Sequence, residues 1–515
     1  MKTTKIKILK MALAGLMVTS LWACAMEKSP KMKMTTEISP GIITPEKLNM
    51  PTDPIGGKPP AGSKASVKDL DYQVKYHRAF EAVLWSMPAV AIYGFHKAPV
   101  TLGGGANTIL AWSKPAKPNT EVLTANNVVP YLVSQTDLSK GAVVVEIPAA
   151  TDKASLYGQI VDHWQITIAD VGPSGIDKGK GGKLLLTPPE YNDEVPKGYL
   201  EIKSPSYRVA FAFRSIKSAT GTTDDAYAYS KTLKMYYLDD PKPTKFIDPS
   251  DKRFPTLPRY DETWFEDVYD IISLENAYPR DKVMMGMLAS LGIEKGKPYK
   301  PDAKTKKAMR QAVIDAYYYM ADRLIKPTDP NRRWWKTKYW YDGLFADQNR
   351  TFTWEMDDLI DLDTRADRYY LGTYYPKKVS KFPATQYLFA LADKDGNTLE
   401  AGKMYSFTMP AKVPVKQFWS LIIYDLETVA FIYSPEERAG LSSFDLPTMK
   451  KNIDGSVTLY FGPKAPKGLE SNWIPTSGKK PLPIVRMYGG KEEFWDKSWE
   501  MPDVELVKTA GSKYP

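Results

Sequence analysis

The chain has 515 residues, 43% of them hydrophobic and 25% charged, enough apolar material for two or three domains with real cores. Its formal charge of +10 falls to +6 once Lys2, Lys5, Lys7 and Lys10 are subtracted, and the remainder is spread along the sequence. That distribution excludes a dense basic stripe for nucleic acid and favours an anionic envelope surface. A single cysteine excludes an internal disulfide, and three scattered histidines offer no metal set, so neither metal nor cofactor is expected.

At the N-terminus those four lysines precede the apolar stretch MALAGLMVTSLWA, which runs up to Cys24. This is a signal-peptide layout, with an apolar run shorter than the roughly 20 residues that cross a bilayer core. Leu21, Trp22, Ala23 and Cys24 resemble a lipobox, which implies cleavage before Cys24 and lipidation of its thiol. Ala25, rather than aspartate, implies default sorting to the outer membrane. Residues 24–65 are rich in Lys, Pro, Gly and Thr without a sustained apolar period, and read as a flexible tether.

Ser66 is the expected N-cap of a first helix that carries Leu70, Val74, His77, Leu84 and Met87 on one face and closes at Pro88. His77, on that stripe, reads as a core histidine. Strands follow: GAVVVEI over 141–147, then Tyr207, Val209, Phe211 and Phe213 alternating with Arg208, Ala210, Ala212 and Arg214, the pattern of a half-buried antiparallel strand. Asp302 caps a predicted helix in which Met309, Val313, Ala316, Met320 and Leu324 recur at threes and fours, ending near Pro327. Beyond it YLFALA and MYSFTM flank the turn DKDGN, FWSLIIYDL leads to NIDGSVTLYFG, and PIVRMYG closes the series. The expected fold is α+β, mainly β: a β-rich domain over 66–250, a helical linker over 251–345, and an antiparallel sandwich or jelly roll over 346–515.

The runs QFWSLIIYDLETVAF, NIDGSVTLYFGPKAP, SNWIPT, VRMYGG and FWDKSW resemble the bacterial domain of unknown function 1214. EVLTANNVVPYLVSQTDLSKGAVVVEIPA, IVDHWQITIADVGPSGIDKGKGGKLLLTPPEY and the strand through Arg214 resemble its usual partner, domain of unknown function 1254. The resemblance spans about residues 66–515, and MMGMLASLGIEKGKPYKPD is similar to the joint of longer members. It implies a β-rich domain, a helical linker and a C-terminal β-sandwich, and no established reaction. Asn126 and Tyr131 stand in the resembling middle run and are counted as candidate ligand-binding residues.

The string GPSGIDKGKGGK lacks the spacing of a phosphate loop and reads as a flexible turn. No nucleophile elbow occurs, and a serine hydrolase would have to use His96 or His163 as its base. Asp162, His163 and Trp164 could converge on a ligand or form a buried network. RRWWKTKYWYDGLF sets Trp334, Trp335 and Trp340 beside cations, suited to sugar faces, to anionic headgroups, or to core packing. Arg365 follows acids that it could orient by paired hydrogen bonds. The expected function is a lipid-anchored envelope protein binding a glycan, lipid headgroup or small amphiphile through Asn126, Tyr131, Asp162, Trp164, Trp340 and Arg365. One alternative is a glycan hydrolase or lyase pairing Asp162 with Asp357, Asp358 or Asp361; another is a homo-oligomeric structural protein.

Overall fold

The computed structural model describes residues 56–327 and 330–508, so Cys24 and the expected signal peptide lie outside the described residues. The described residues from Val67 onward form one compact unit. Its helices are α1 (Leu70–Thr101), α2 (Thr223–Ser230), α3 (Thr263–Leu274), α4 (Lys282–Ala289), α5 (Ala303–Ile325), α6 (Leu362–Leu371) and the short α7 (Glu492–Trp495). Among the described residues no helix is long and apolar enough to cross a membrane.

Two β-sandwiches share a helical layer. In the first, a six-stranded sheet ordered 245–247, 108–111, 131–137, 208–217, 154–162, 167–171 faces a four-stranded sheet ordered 234–237, 143–147, 182–187, 199–203. Between them Leu132, Val145, Leu156, Leu184, Phe211 and Phe213 form one core. In the second, strands 340–342, 385–390, 481–488, 419–425 and 430–431 face a four-stranded sheet ordered 473–475, 457–462, 405–409, 505–506. Trp340, Phe407, Leu421, Leu459 and Val485 fill that interior. The fold is α+β, and no sheet closes into a barrel among the described residues.

The faces of the two larger sheets that point away from these cores are covered as well. Along Arg208–Lys217 the period of two sends Val209, Phe211 and Phe213 into the sandwich, and Ala210 and Ala212 to the opposite face, against Phe95 and Trp112. This strand is therefore buried on both faces over its middle, not half-buried as its alternation predicted. In Pro481–Tyr488, buried at every position, Val485 and Met487 point into the second sandwich. Leu482 and Ile484 pack on the helices instead. Each such side chain contributes roughly 1.5–3 kcal/mol by leaving water, so the cover is a major part of the stability.

Helix α1 is the axis of that layer and departs from expectation in three ways. Its N-cap is Asp69, whose carboxylate accepts the Tyr72 N–H, rather than Ser66. It does not stop at Pro88 but continues through Pro88 and Pro99 to Thr101. Pro88 cannot donate to the Leu84 carbonyl and crowds the preceding turn, and the carbonyls around it accept side chains from outside the helix: Arg365 Nη2 donates to the Trp85 carbonyl at 3.0 Å and Gln165 Nε2 to the Pro88 carbonyl at 2.7 Å. His77 is exposed and hydrogen-bonded to Gln73, so it is no core histidine. Asp302 does cap α5, whose Met309, Val313, Ala316, Met320 and Leu324 are all buried.

The turn DKDGN also differs from a simple hairpin. The Asp393 carboxylate closes it by accepting the N–H groups of Asp395 and Asn397. The strands on either side then join different sheets: Thr385–Ala390 pairs with Pro481–Tyr488, whereas Tyr405–Met409 pairs with Val457–Gly462. Strand Trp340–Asp342 of the second sandwich starts within 251–345, and α6 lies within 346–515, so the helical layer draws on all three sequence segments.

Candidate functional site

A cavity of about 780 Å³ lies between the outer faces of the two larger sheets, bordered at its sides by the segments 122–126 and 371–376. Its walls include Phe95, Trp112, Val122, Leu123, Val129, Phe254, Leu371 and Phe389. The period of two that buries Ala212 on the outer face of Arg208–Lys217 brings Arg214 onto the same face. In Pro481–Tyr488, Arg486 and Tyr488 follow Leu482 and Ile484 in the same way.

Each arginine is set among cross-strand tyrosines. Arg214 stands directly opposite Tyr131 on one neighbouring strand and Tyr157 on the other, with its guanidinium 5.5 Å from each ring centroid. Arg486 stands opposite Tyr387, its guanidinium 5.0 Å from that ring. Such stacking holds a planar cation in place but does not neutralise it. Among the described residues no carboxylate pairs with either cation; their foremost titratable neighbours are tyrosines from both sandwiches. Arg486 is 1% exposed; its Nη2 donates to the Thr124 carbonyl at 2.8 Å and to the Tyr424 hydroxyl at 2.7 Å. Its Nε and Nη1 have no hydrogen-bond partner.

Beside the two arginines, Asn126 and the tyrosines present hydrogen-bond donors. Asn126 Nδ2 donates to the Tyr488 hydroxyl at 2.7 Å, and the Asn126 N–H donates to the Tyr131 hydroxyl at 2.9 Å. The Asn126 side-chain oxygen is taken by the Val128 N–H. Tyr424 directs its own hydroxyl to the Ala125 carbonyl. Burial raises the phenols of Tyr157 and Tyr488 above their ordinary range, so both keep their protons at neutral pH. The one carboxylate lining the cavity, Asp170, accepts from Gln159 at 3.3 Å.

Of the residues singled out from sequence, Asn126 and Tyr131 belong to this cavity and the other four do not. Asp162 ends a strand and forms the following hairpin turn: its carboxylate accepts the N–H groups of Trp164 and Ile166. Burial, partly offset by those two N–H groups, pushes its pKa up to about 7. Trp164 packs on Trp85 at 4.7 Å between ring centroids and borders a separate cavity of about 380 Å³. Trp340 is fully buried inside the second sandwich, its indole N–H donating to the Pro502 carbonyl. A ring without free surface cannot stack on a ligand, and the aromatic cluster around it serves packing: Trp335 shares that core and Trp334 stacks on Phe494. Arg365 is buried and donates to the Trp85 carbonyl of α1, in the turn before Pro88.

None of the carboxylates expected to pair in catalysis lines either cavity. Asp357 and Asp358 are exposed and Asp361 caps α6. Glu275 and Asp281 border the smaller cavity, but Glu275 accepts the Tyr207 and Arg208 N–H groups and Asp281 accepts the Trp85 indole. His96 and His163 are buried, with rings 5.7 Å apart, and burial holds both imidazoles neutral. Sequence reasoning missed Arg214 and Arg486. The signal for the second lay in PLPIVRMY, an apolar run whose length marks a strand buried on both faces and in which a cation is anomalous.

Residues 106–237 match the family model described as protein of unknown function DUF1254, and residues 384–492 match that of DUF1214. No curated protein matches the chain. The crystal structure of the VPA0106 protein from Vibrio parahaemolyticus is similar at a TM-score of 0.50 and 20% identity, covering 84% of this chain and 100% of that one. An uncharacterised protein from Burkholderia cenocepacia aligns at a TM-score of 0.36 and 12% identity over 85% of this chain and 96% of its own. The Vibrio likeness shows a shared fold and nothing about activity.

Proposed function

We propose that this chain, which joins a DUF1254 region to a DUF1214 region in that order, is a lipid-anchored envelope protein that binds a small amphiphile in the cleft between its two larger sheets. The observation that carries this reading is the cavity itself. At about 780 Å³ it falls in the range of small-molecule sites, and its walls are aliphatic and aromatic with polar groups gathered around Asn126, Tyr131, Arg214, Arg486 and Tyr488. A molecule with an apolar body and one polar end matches that division. A glycan matches less well, since its hydroxyls need acceptors as well as donors and the ring expected to stack on it, Trp340, is sealed in a core. Carboxylate-pair catalysis finds a single carboxylate in the cleft.

The test is titration of the full chain carrying Cys24→Ala with an uncharged fluorescent amphiphile, N-phenyl-1-naphthylamine. Saturable binding is expected, and it should be lost in Val129→Trp, which places an indole into the cavity from its wall. A signal unchanged by Val129→Trp would place the probe elsewhere and remove the support for this site.

A further inference from the structure

Resting on that reading, we infer that the molecule held in the cleft ends in an anionic oxygen group, a carboxylate or a phosphate ester, which Arg214 and Arg486 neutralise. Taking a cation out of water costs several kcal/mol unless a counter-charge and hydrogen bonds replace the lost hydration. Arg486 is 1% exposed and leaves its Nε and Nη1 hydrogens without acceptors. Arg214 contributes a second cation, its guanidinium set over the faces of Tyr131 and Tyr157. Asn126 joins the two sides: its N–H donates to the hydroxyl of Tyr131, whose ring faces Arg214, and its side chain to the hydroxyl of Tyr488, which shares a strand face with Arg486, so the two cations lie in one part of the cavity although they come from different sandwiches.

The inventory of acceptors points the same way. The Asn126 side-chain oxygen is spent on the Val128 N–H, the Thr124 backbone carbonyl on Arg486 and the Ala125 backbone carbonyl on Tyr424. The hydroxyls of Tyr131 and Tyr488 each accept a hydrogen bond from Asn126 and have a proton left to give. A neutral head such as an alcohol or an amide would satisfy few of these donors and neither charge, and a cation would be repelled. An anionic oxygen group supplies several acceptor lone pairs and the missing charge, and charge-assisted hydrogen bonds are the strong kind.

The experiment is displacement of N-phenyl-1-naphthylamine from the full chain carrying Cys24→Ala, by dodecanoate, dodecyl phosphate and dodecan-1-ol, at neutral pH. At least one of the two anions is expected to displace the probe at about a tenfold lower concentration than the alcohol, the factor that corresponds to roughly 1.4 kcal/mol. The tighter of the two assigns the head group to the carboxylate or the phosphate class. Within each of the variants Arg214→Gln and Arg486→Gln the anions should displace the probe no better than the alcohol does, so the anion-to-alcohol ratio falls from about ten to about one. Arg214 is only partly buried, so its variant carries the test if Arg486→Gln does not fold. Equal displacement by alcohol and anions, or a preference that survives Arg214→Gln, would overturn the inference while leaving the cleft as an amphiphile site. A probe that never binds would overturn both.

Discussion

A buried charge can serve a ligand or a turn, and what its atoms already hold tells the two apart. Asp162 and Arg486 are equally buried, at 1% exposure each. One oxygen of the Asp162 carboxylate accepts two N–H groups of its own hairpin, and the other, though without a partner, borders neither cavity; Arg486 lines the larger cavity and keeps two donor atoms with nothing to receive them. The turn role of Asp162 has a consequence in pH. Its pKa of about 7, above the ordinary 3.8, means that the folded protein holds a proton that the unfolded chain releases between those values. Stability therefore falls as pH rises from about 4 to about 7, and the penalty is complete above 7. Asp162→Asn keeps an oxygen for both N–H groups and has no proton to lose. Chemical denaturation of the two proteins at pH 5 and pH 8 should show the variant gaining on the parent at the higher pH; a constant difference would mean that Asp162 is ionised throughout. Of the site, Asn126 and Tyr131 were legible because they stand in a run resembling a known domain. Arg214 was hidden by its strand's alternation, which reads as one wet face, and Trp340 and Arg365 have chemically able side chains that the fold spends on packing and on a carbonyl.

Helix α1 shows why elements are harder to delimit than to detect. Its apolar stripe predicted a helix, yet Leu70 and Val74, the first members of that stripe, are exposed, while the segment after Pro88 is buried almost without a break. Proline reads as a stop because the local hydrogen bond is lost; Arg365, 280 residues away in sequence, and Gln165 hold the turns around Pro88 by donating to the Trp85 and Pro88 carbonyls, and neither can be seen from a local window. α5 was legible from cap to core because nothing distant has to repair it. The DKDGN turn was recognised by its residue types, but which sheet each flanking strand joins depends on pairings far along the chain. The burial of α1 also fixes one glycine. A Cβ on Gly94 would lie 2.1 Å from the Thr256 carbonyl oxygen, and backbone on both sides cannot yield cheaply. Gly94→Ala would normally favour a helix; here overpacking should win and cost about 1–3 kcal/mol, read as a lower denaturant midpoint. A variant as stable as the parent would mean that α1 and the segment through Thr256 are not packed this closely.

For the protein as a whole, the cleft and the proposed anchor suit each other: a site for molecules with an apolar body is most useful where such molecules reside, and acyl chains on Cys24 would hold it at a membrane. Two forces could do that holding. The body beyond the signal segment carries a formal +6, which can adhere to anionic lipids, and the lipobox-like segment implies a covalent hydrophobic anchor. Salt separates them, because the Debye length shrinks to about 3 Å at 1 M ionic strength while burial of acyl chains is not screened. In fractionated cells the parent protein should stay with the membrane pellet through a 1 M salt wash, and Cys24→Ala should lose that salt-resistant attachment. Release of the parent by salt alone would leave electrostatic adhesion as the holding force. Retention of Cys24→Ala through the wash would mean that the apolar stretch before Cys24 stays attached and anchors the chain uncleaved, and the cleft would then be tethered by the peptide itself.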